Sequence, residues 1–372
     1  MEKELKPKIL HILEAGRYSG PNSTILSICS GNNKFFKFKV IAGNDEETKF
    51  KELLEKENID YNFLNLTRIR GNLTVLLRYF IRFPFEVIEI IKVIRKFNPD
   101  LIHTHTYLDF KGLIAGKLTG TKVVWQIHLD KCDPKFEIVF NFFKRIHQGH
   151  FICVSNITEK SFLPELKGTR SSIIQSSVDT TYFNKEIKTS QSGPIKIGSI
   201  GNYHYRKGFE LVFEIAQLFE PHKKDYEFHI LGGVYGDSKN YFNQLKRLKD
   251  SMGLTNLFLY TSEKTEVKSF LQDKSIFLMT SYAEASPFVA WESASMGLPI
   301  VSTDVGDVKN YVEKYESGYV LNNRDPQRFK IMIEKVNILE MSKNSRRMAE
   351  ECFDKRIIAE EYMKTYKKLL SE

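Results

Sequence analysis

The sequence predicts an α/β protein made of two doubly wound parallel-sheet domains. Three observations carry that expectation. The chain has 372 residues, long for one hydrophobic core and natural for two domains. Short apolar strand-like runs alternate with helical patterns through both halves, as in parallel sheets covered by helices. A polar stretch, Phe183 to Pro194 (FNKEIKTSQSGP), fits neither periodicity and separates the halves.

The elements follow in order. Lys8–Glu14 reads as a first strand, Ala15–Pro21 as a loop, and a helix starts at about Asn22. Further strands are expected at Lys39–Ala42, Asn62–Leu66, Leu101–His105, Lys122–His128 and Phe151–Ser155. Helices are expected between them at about Glu46–Glu57, Leu73–Phe97, Lys111–Leu118 and Lys135–Gln148. The second half opens with a strand at Ile195–Gly201. A helix then begins at Lys207-Gly208, with Leu211, Ile215, Leu218 and Phe219 at helical spacing. Strands at Glu227–Leu231, Leu257–Thr261 and Ile276–Thr280 alternate with helices at Tyr241–Met252 and Glu266–Leu271. The tail, NSRRMAEECFDKRIIAEEYMKTYKKLL, reads as one long helix. Ligands of such sheets bind beyond the carboxyl ends of the strands, where His103, His105, His128 and Ser155 fall.

Composition narrows the class. With 42% hydrophobic and 27% charged residues this is a globular chain. Cys29, Cys132, Cys153 and Cys352 are scattered without a C-x-x-C pair, which fits free thiols in a reducing compartment. No apolar run reaches the roughly 18 residues of a spanning helix, and the start has no signal-peptide core, so a cytoplasmic location is expected, including the inner face of the membrane. A net charge of +9 calls for an anionic partner. Residues 64–96 carry seven Arg or Lys and two Glu among Leu, Ile, Phe and Val. A helix there with an apolar face and a basic rim would suit peripheral association with an anionic membrane, or a core contact with snorkelling cations. Nucleic acid is not expected, because the basic residues show no aromatic interleaving on a recognisable module.

Ser281 to Val305, SYAEASPFVAWESASMGLPIVSTDV, carries the chemistry. Ser286 is predicted to cap a helix that has Pro287 at its first position, runs to about Met296 and stops at Gly297, with Pro299 beyond. Glu284 then lies in the preceding loop and Glu292 one to two turns inside the helix. The unpaired N–H groups of Phe288 and Val289, with the helix dipole, suit an anion. Two carboxylates flanking that anion suit neutral hydroxyls. Phosphate with sugar hydroxyls on either side describes a nucleotide-sugar.

The segment EASPFVAWESASMGLPIVS resembles the E-x7-E signature of the retaining glycosyltransferases of family 4. That family has the GT-B fold: two Rossmann-like doubly wound domains facing a central cleft, with a C-terminal helix crossing back to the first. The resemblance implies an acceptor-binding domain at 1–183, a linker at 184–194, a nucleotide-sugar domain at 195–350 and the returning helix at 351–372. NYHYRKGFELVF is similar to the family's glycine–arginine…lysine–glycine string, with Asn202 at the arginine's position and Arg206 expected to take over its task. IIQSSVDTTYF keeps Val178-Asp179 and Phe183 of the domain-joining string but replaces Asn-Gly by Ser176-Ser177. The first loop has Ser19-Gly20 in place of paired glycines. GDVKN stands where the family has G-G-x-P-E, with Asp307 and Asn310 in place of the second glycine and the glutamate.

The resemblance implies transfer of a sugar from a nucleotide-sugar, expected to be a UDP-sugar, to a glycan or lipid-linked acceptor. Retention of configuration and a place in capsule, cell-envelope or other polysaccharide synthesis follow from it. By family position, Glu292 holds the ribose hydroxyls. Arg206, Lys207 and the N–H groups of Phe288 and Val289 hold the diphosphate. Asn202, Ser286 and Gly20 complete the donor side, and Glu284 meets the donor sugar. His128, in VVWQIHLD, faces donor sugar and acceptor, and His105 lies on the acceptor side. No cofactor and no metal are expected. His103 and His105 share a strand face, but no third ligand stands at a recognisable spacing and there is no D-x-D motif. Two other readings stand beside this one: a non-catalytic nucleotide-sugar-binding partner protein, and a GT-B nucleotide-sugar epimerase that releases sugar without an acceptor.

Overall fold

Apolar runs with buried residues on both faces, such as Ile9, Leu10, Ile12 and Leu13, can only sit in a sheet covered on both sides. In the computed structural model, which describes residues 6–16, 20–44, 49–69, 73–164, 170–187, 193–236, 238–262 and 266–372, they do so twice. The chain divides into two compact units, Met1–Ser176 with Lys355–Glu372, and Ser177–Asp354. The first division falls before the expected 183, and the return to the first unit falls at 355, after the expected 351.

The first unit runs β1 (Lys8–Leu13), α1 (Gly20–Asn32), β2 (Lys37–Gly43), α2 (Lys49–Lys56), β3 (Asp60–Leu64), α3 (Leu73–Phe97), β4 (Leu101–His105), α4 (Phe110–Thr119), β5 (Lys122–Ile127), α5 (Glu137–Ile146), β6 (His150–Cys153), α6 (Asn156–Phe162) and β7 (Ser171–Ile173). Its parallel sheet has the order β3-β2-β1-β4-β5-β6-β7. The second runs β8 (Ile195–Ile200), α7 (Glu210–Phe219), β9 (Tyr226–Gly232), α8 (Ser238–Ser251), β10 (Leu257–Thr261), α9 (Val267–Leu271), β11 (Ile276–Met279), α10 (Phe288–Ser295), β12 (Ile300–Thr303), α11 (Val308–Tyr315), β13 (Gly318–Leu321), α12 (Pro326–Glu334) and α13 (Ile338–Cys352). Its parallel sheet is β10-β9-β8-β11-β12-β13. In each sheet the order reverses once, between β1 and β4 and between β8 and β11. That switch point opens a crevice at the carboxyl ends of the strands.

Three expectations are corrected. The tail is two helices, α13 and α14 (Lys355–Ser371), broken at Phe353-Asp354. Phe353 stacks on Trp291 with ring centroids 3.8 Å apart, and the buried Asp354 accepts from the Thr180 hydroxyl, so both residues are drawn out of a continuous helix. Helix α1 begins at Gly20, inside the expected loop. Lys207 lies in a 3-10 turn, Tyr205–Lys207, and the helix after it starts only at Glu210. The elements α6, β7, β12, α11, β13 and α12 were not anticipated; α6 and the three strands are runs of three to seven residues, which carry little periodicity. Ser19 and residues 46–48, 70–72 and 188–192 of the expected elements lie outside the described residues.

Helix α14 packs in the first unit, against α1. The Asn32 amide donates to the Ala359 carbonyl (2.9 Å), and a Cβ at Gly31 would stand 2.5 Å from the Ala359 Cβ. Its Tyr362 and Tyr366 are fully buried, with hydroxyls bonded to Gln126 and His103 (both 2.6 Å).

Candidate functional site

At the second switch point, the loop after β8 meets the loop after β11. Backbone contacts lace them together: the Tyr282 N–H donates to the Arg206 carbonyl (2.8 Å), and the Thr280 hydroxyl to the Lys207 carbonyl (3.1 Å). Arg324, between β13 and α12, clamps both loops. Its guanidinium donates to the Thr280 and Gly208 carbonyls and lies 3.8 Å from the Tyr282 ring centroid. Gly208 has φ +58°, and a Cβ there would fall 2.5 Å from both the Arg324 guanidinium and the Thr280 carbonyl, so the lysine–glycine step requires glycine twice over. Gly201 serves the same loop, because the Lys207 stem lies over its Cα where a Cβ would meet carbons at 2.9 Å.

That stem brings the Lys207 ammonium to Glu284 (Nζ–Oε1 2.6 Å), and the Ser281 hydroxyl donates to the same oxygen (2.7 Å). The Glu284 loop is backed by Gly306, whose φ of +57° and bare Cα admit the Ala285 carbonyl to 2.8 Å of where a Cβ would be. Asp307, in the position of the family's second glycine, is buried and begins α11. Sequence reasoning assigned Lys207 to a diphosphate and Glu284 to a sugar; the structure pairs the two directly. A ligand entering here meets a cation and an anion already joined, and diphosphate would compete with Glu284 for the ammonium.

Helix α10 starts at Phe288, with Pro287 as its N-cap residue. Ser286 does not cap it; its hydroxyl oxygen instead accepts from the Trp291 indole (3.4 Å). The extended backbone of Pro287 (φ −77°, ψ 99°) puts the break one residue later than the sequence pattern predicts. The first intrahelical bonds run from Ala290 and Trp291 to the Pro287 carbonyl, so the N–H groups of Phe288 and Val289 precede the ladder. Glu292 sits on the second turn and is mostly buried. Loss of solvent pushes its carboxyl up to about 7. Arg206 is half-buried and Asn202 exposed in the same loop after β8.

At the first switch point, β1 and β4 place His11 opposite His103 in register, with His105 two residues on. The rings form one array: His11 Nδ1 to His105 Nε2 is 2.9 Å, and His105 Nδ1 to His128 Nε2 is 3.3 Å. Burial pulls His11 and His128 down to about 3 and holds His103 and His105 well below the usual range, so all four are neutral at neutral pH. His128, directly after β5, keeps part of its surface exposed. His105 does not: it is fully buried with both ring nitrogens engaged. His11 was missed in the sequence, where it is one polar residue within KILHIL.

A buried ionic cluster supports the loop after β1. Lys111 has no exposed surface; its ammonium contacts Glu14 (2.5 Å), Glu86 (3.3 Å) and the Thr67 carbonyl (2.6 Å), and lies 4.0 Å from the Tyr79 ring centroid. Asp109 accepts from the Glu14 N–H (2.9 Å). Burial raises Glu14 to about 6 despite Lys111, and Asp109 lies well above the usual carboxylate range. The signal in the sequence was a lysine opening an otherwise apolar helical run, FKGLIAG. Gly20 opens α1 directly after this loop.

Two family models match in tandem: Glycosyltransferase Family 4 over residues 32–182 and Glycosyl transferases group 1 over residues 181–353. Among curated proteins the chain is similar to an amylovoran biosynthesis glycosyltransferase of Erwinia amylovora (25% identical, 40% of this chain and 38% of that one). It is also similar to an O-antigen biosynthesis glycosyltransferase of Escherichia coli (25% identical, 51% of each). A component of the human phosphatidylinositol N-acetylglucosaminyltransferase is similar too (30% identical, 43% of this chain and 33% of that one). The matched stretches thus span only a third to a half of those relatives. Among solved structures, the chain resembles an Anabaena protein, HepE, in complex with UDP and glucose (TM-score 0.80, 17% identical, covering 97% of this chain and 99% of that one). A glycosyltransferase from Rickettsia africae is similar to it as well (TM-score 0.79, 16% identical, 98% and 99%). At such identity these structures establish the shared fold.

Proposed function

This chain belongs to the glycosyltransferases of group 1 and family 4 and has their GT-B fold, and on that premise we propose that it transfers a sugar from a UDP-sugar to a glycan or lipid-linked acceptor with retention of configuration. The observation that carries the proposal is the laced pair of loops at the second switch point. There Lys207 pairs with Glu284 on loops laced together, and the first N–H groups of α10 follow four residues after Glu284. In this reading a diphosphate draws the Lys207 ammonium from Glu284, with Arg206 and the N–H groups of Phe288 and Val289 completing its neutralisation. Charge developing on the leaving diphosphate is then met by fixed donors, the term that usually dominates such reactions. Glu284, released, turns to the donor sugar, and Glu292 takes the ribose hydroxyls. His128, in the first unit, is assigned to the acceptor. No step requires a metal. The UDP and glucose bound to the Anabaena protein support the donor class, and the polysaccharide and lipid roles in the relatives' names support the acceptor class.

Lys207→Ala and Glu292→Ala should each slow transfer from UDP-sugars by about 10²–10³-fold. Near-native turnover in both would refute the site. Absence of any donor hydrolysis would favour the non-catalytic binding reading, and release of free sugar without an acceptor the epimerase reading.

Membrane association belongs to the same proposal. Among the described residues no helix is long and apolar enough to cross a membrane. Yet α3 exposes Leu77, Phe80, Ile81, Phe85 and Ile88 while Val87, Ile90 and Ile94 on its other side are buried. An apolar outer stripe beside Arg78, Arg82 and Lys92 suits an anionic bilayer surface. Binding to phosphatidylglycerol-containing vesicles should fall at least about tenfold in Ile81→Ser/Phe85→Ser. Equal sedimentation of both proteins with vesicles would refute this face.

A further inference from the structure

The imidazoles of His11, His105 and His128 form a single file, and its inner end decides its direction. His11 Nε2 is buried without a partner. Suppose each ring hands its proton outward. His11 Nδ1–H then donates to His105 Nε2, His105 Nδ1–H donates to His128 Nε2, and a bare lone pair is left at the buried end. In the reverse direction His11 must carry its proton on Nε2, leaving an orphaned N–H in the core. Buried orphan donors are the rarer case in folded proteins, and neutral rings hold one proton each, so the file has one orientation at a time.

We propose that His105 is a positioning residue that fixes His128 as its Nδ1–H tautomer, so that His128 offers a hydrogen-bond donor to a ligand oxygen. It is therefore not the proton-accepting base that a free histidine could be. The tautomer rests on the geometry of the first unit alone; its consequence for catalysis rests on the transfer reading above. The trio His11, His103 and His105 has ring nitrogens within 4.8 Å of one another, a spacing that also invites a metal. His103 stacks on His105, centroids 4.1 Å apart at 24°, whereas His11 and His105 spend their facing nitrogens on each other at 2.9 Å, so in the file His105 Nε2 keeps no free lone pair for an ion. The trio supplies no carboxylate to balance a buried divalent charge.

Long-range proton–nitrogen correlation spectra of the ¹⁵N-labelled full chain read the tautomer directly. In the native protein His128 should show a protonated Nδ1 and a bare Nε2. His105→Phe removes the donor and should move most of the population to Nε2–H. His105→Asn sets an amide N–H where Nδ1 stood and should keep the native pattern. Turnover should follow, with kcat down about tenfold or more in His105→Phe, recovered in His105→Asn, and KM for the donor little changed, as when a wrong tautomer is imposed on a catalytic histidine. Native His128 protonated on Nε2 would overturn the proposal, as would an unchanged tautomer in His105→Phe. Stoichiometric metal released by chelator from the purified chain but absent from His11→Leu would also overturn it. If His105→Phe does not fold, the native and His105→Asn spectra decide. Absence of turnover in the native chain would overturn the transfer reading and leave the tautomer standing.

Discussion

Replacing Glu292 by Gln should stabilise the second unit at alkaline pH. Burial raises the Glu292 carboxyl from 4.5 to about 7, so between those values the folded chain holds a proton that the unfolded chain has released. For an acid whose pKa is raised on folding, the associated stability is full below 4.5 and is lost as pH climbs through about 7. The gap corresponds to about 3 kcal/mol at about 1.36 kcal/mol per pH unit. Gln keeps the shape and loses the titration. The difference between variant and native stability should therefore be near zero at pH about 4.5 and reach about 3 kcal/mol in favour of Gln by pH about 8. Taking the difference cancels the other titrating groups. A two-unit chain need not unfold in one step, so the probe must be local. The sequence has two tryptophans, Trp125 in the first unit and Trp291 beside Glu292 in the second. In a Trp125→Phe background, Trp291 fluorescence against urea reads the second unit alone. A difference constant within about 1 kcal/mol across that range would refute the burial argument. With Glu292 holding the ribose hydroxyls as proposed, the same variant should also lose donor affinity.

Gly208→Ala places a methyl 2.5 Å from the Thr280 carbonyl at φ +58°, and should lower the Trp291-monitored stability by about 2 kcal/mol and weaken UDP binding in calorimetry; unchanged values would show that the clamp yields. Lys111→Met strands the Glu14 and Glu86 carboxylates in the core and should lower first-unit stability by about 3–5 kcal/mol, read by Trp125 in a Trp291→Phe background. A loss below about 1 kcal/mol would mean the cluster is hydrated.

Local patterns were legible where they rest on chain neighbours. The strands Leu101–His105 and Leu257–Thr261 and the helix Leu73–Phe97 stand where apolar spacing put them, and Gly297 ends α10 in the left-handed conformation. Ser286 misled because Ser-Pro is a strong helix-start signal, while Trp291 supplied its hydroxyl with another partner. The tail misled because nothing in its periodicity says that Phe353 will stack on Trp291.

By itself the sequence determined two parallel α/β sheets, a helix start between two glutamates, and a lysine–glycine step earlier in the same half. All are set by short-range spacing and by the conformational freedom of single residues. Tertiary structure alone decided that Lys207 grips Glu284, that Arg324 ties both loops, that His11 completes a file ending at His128, and that Lys111 lies between Glu14 and Glu86. Each of those contacts joins residues far apart in the chain. Parallel strands are connected through helices, so their carboxyl ends gather side chains whose separation in sequence carries no trace of their distance in space.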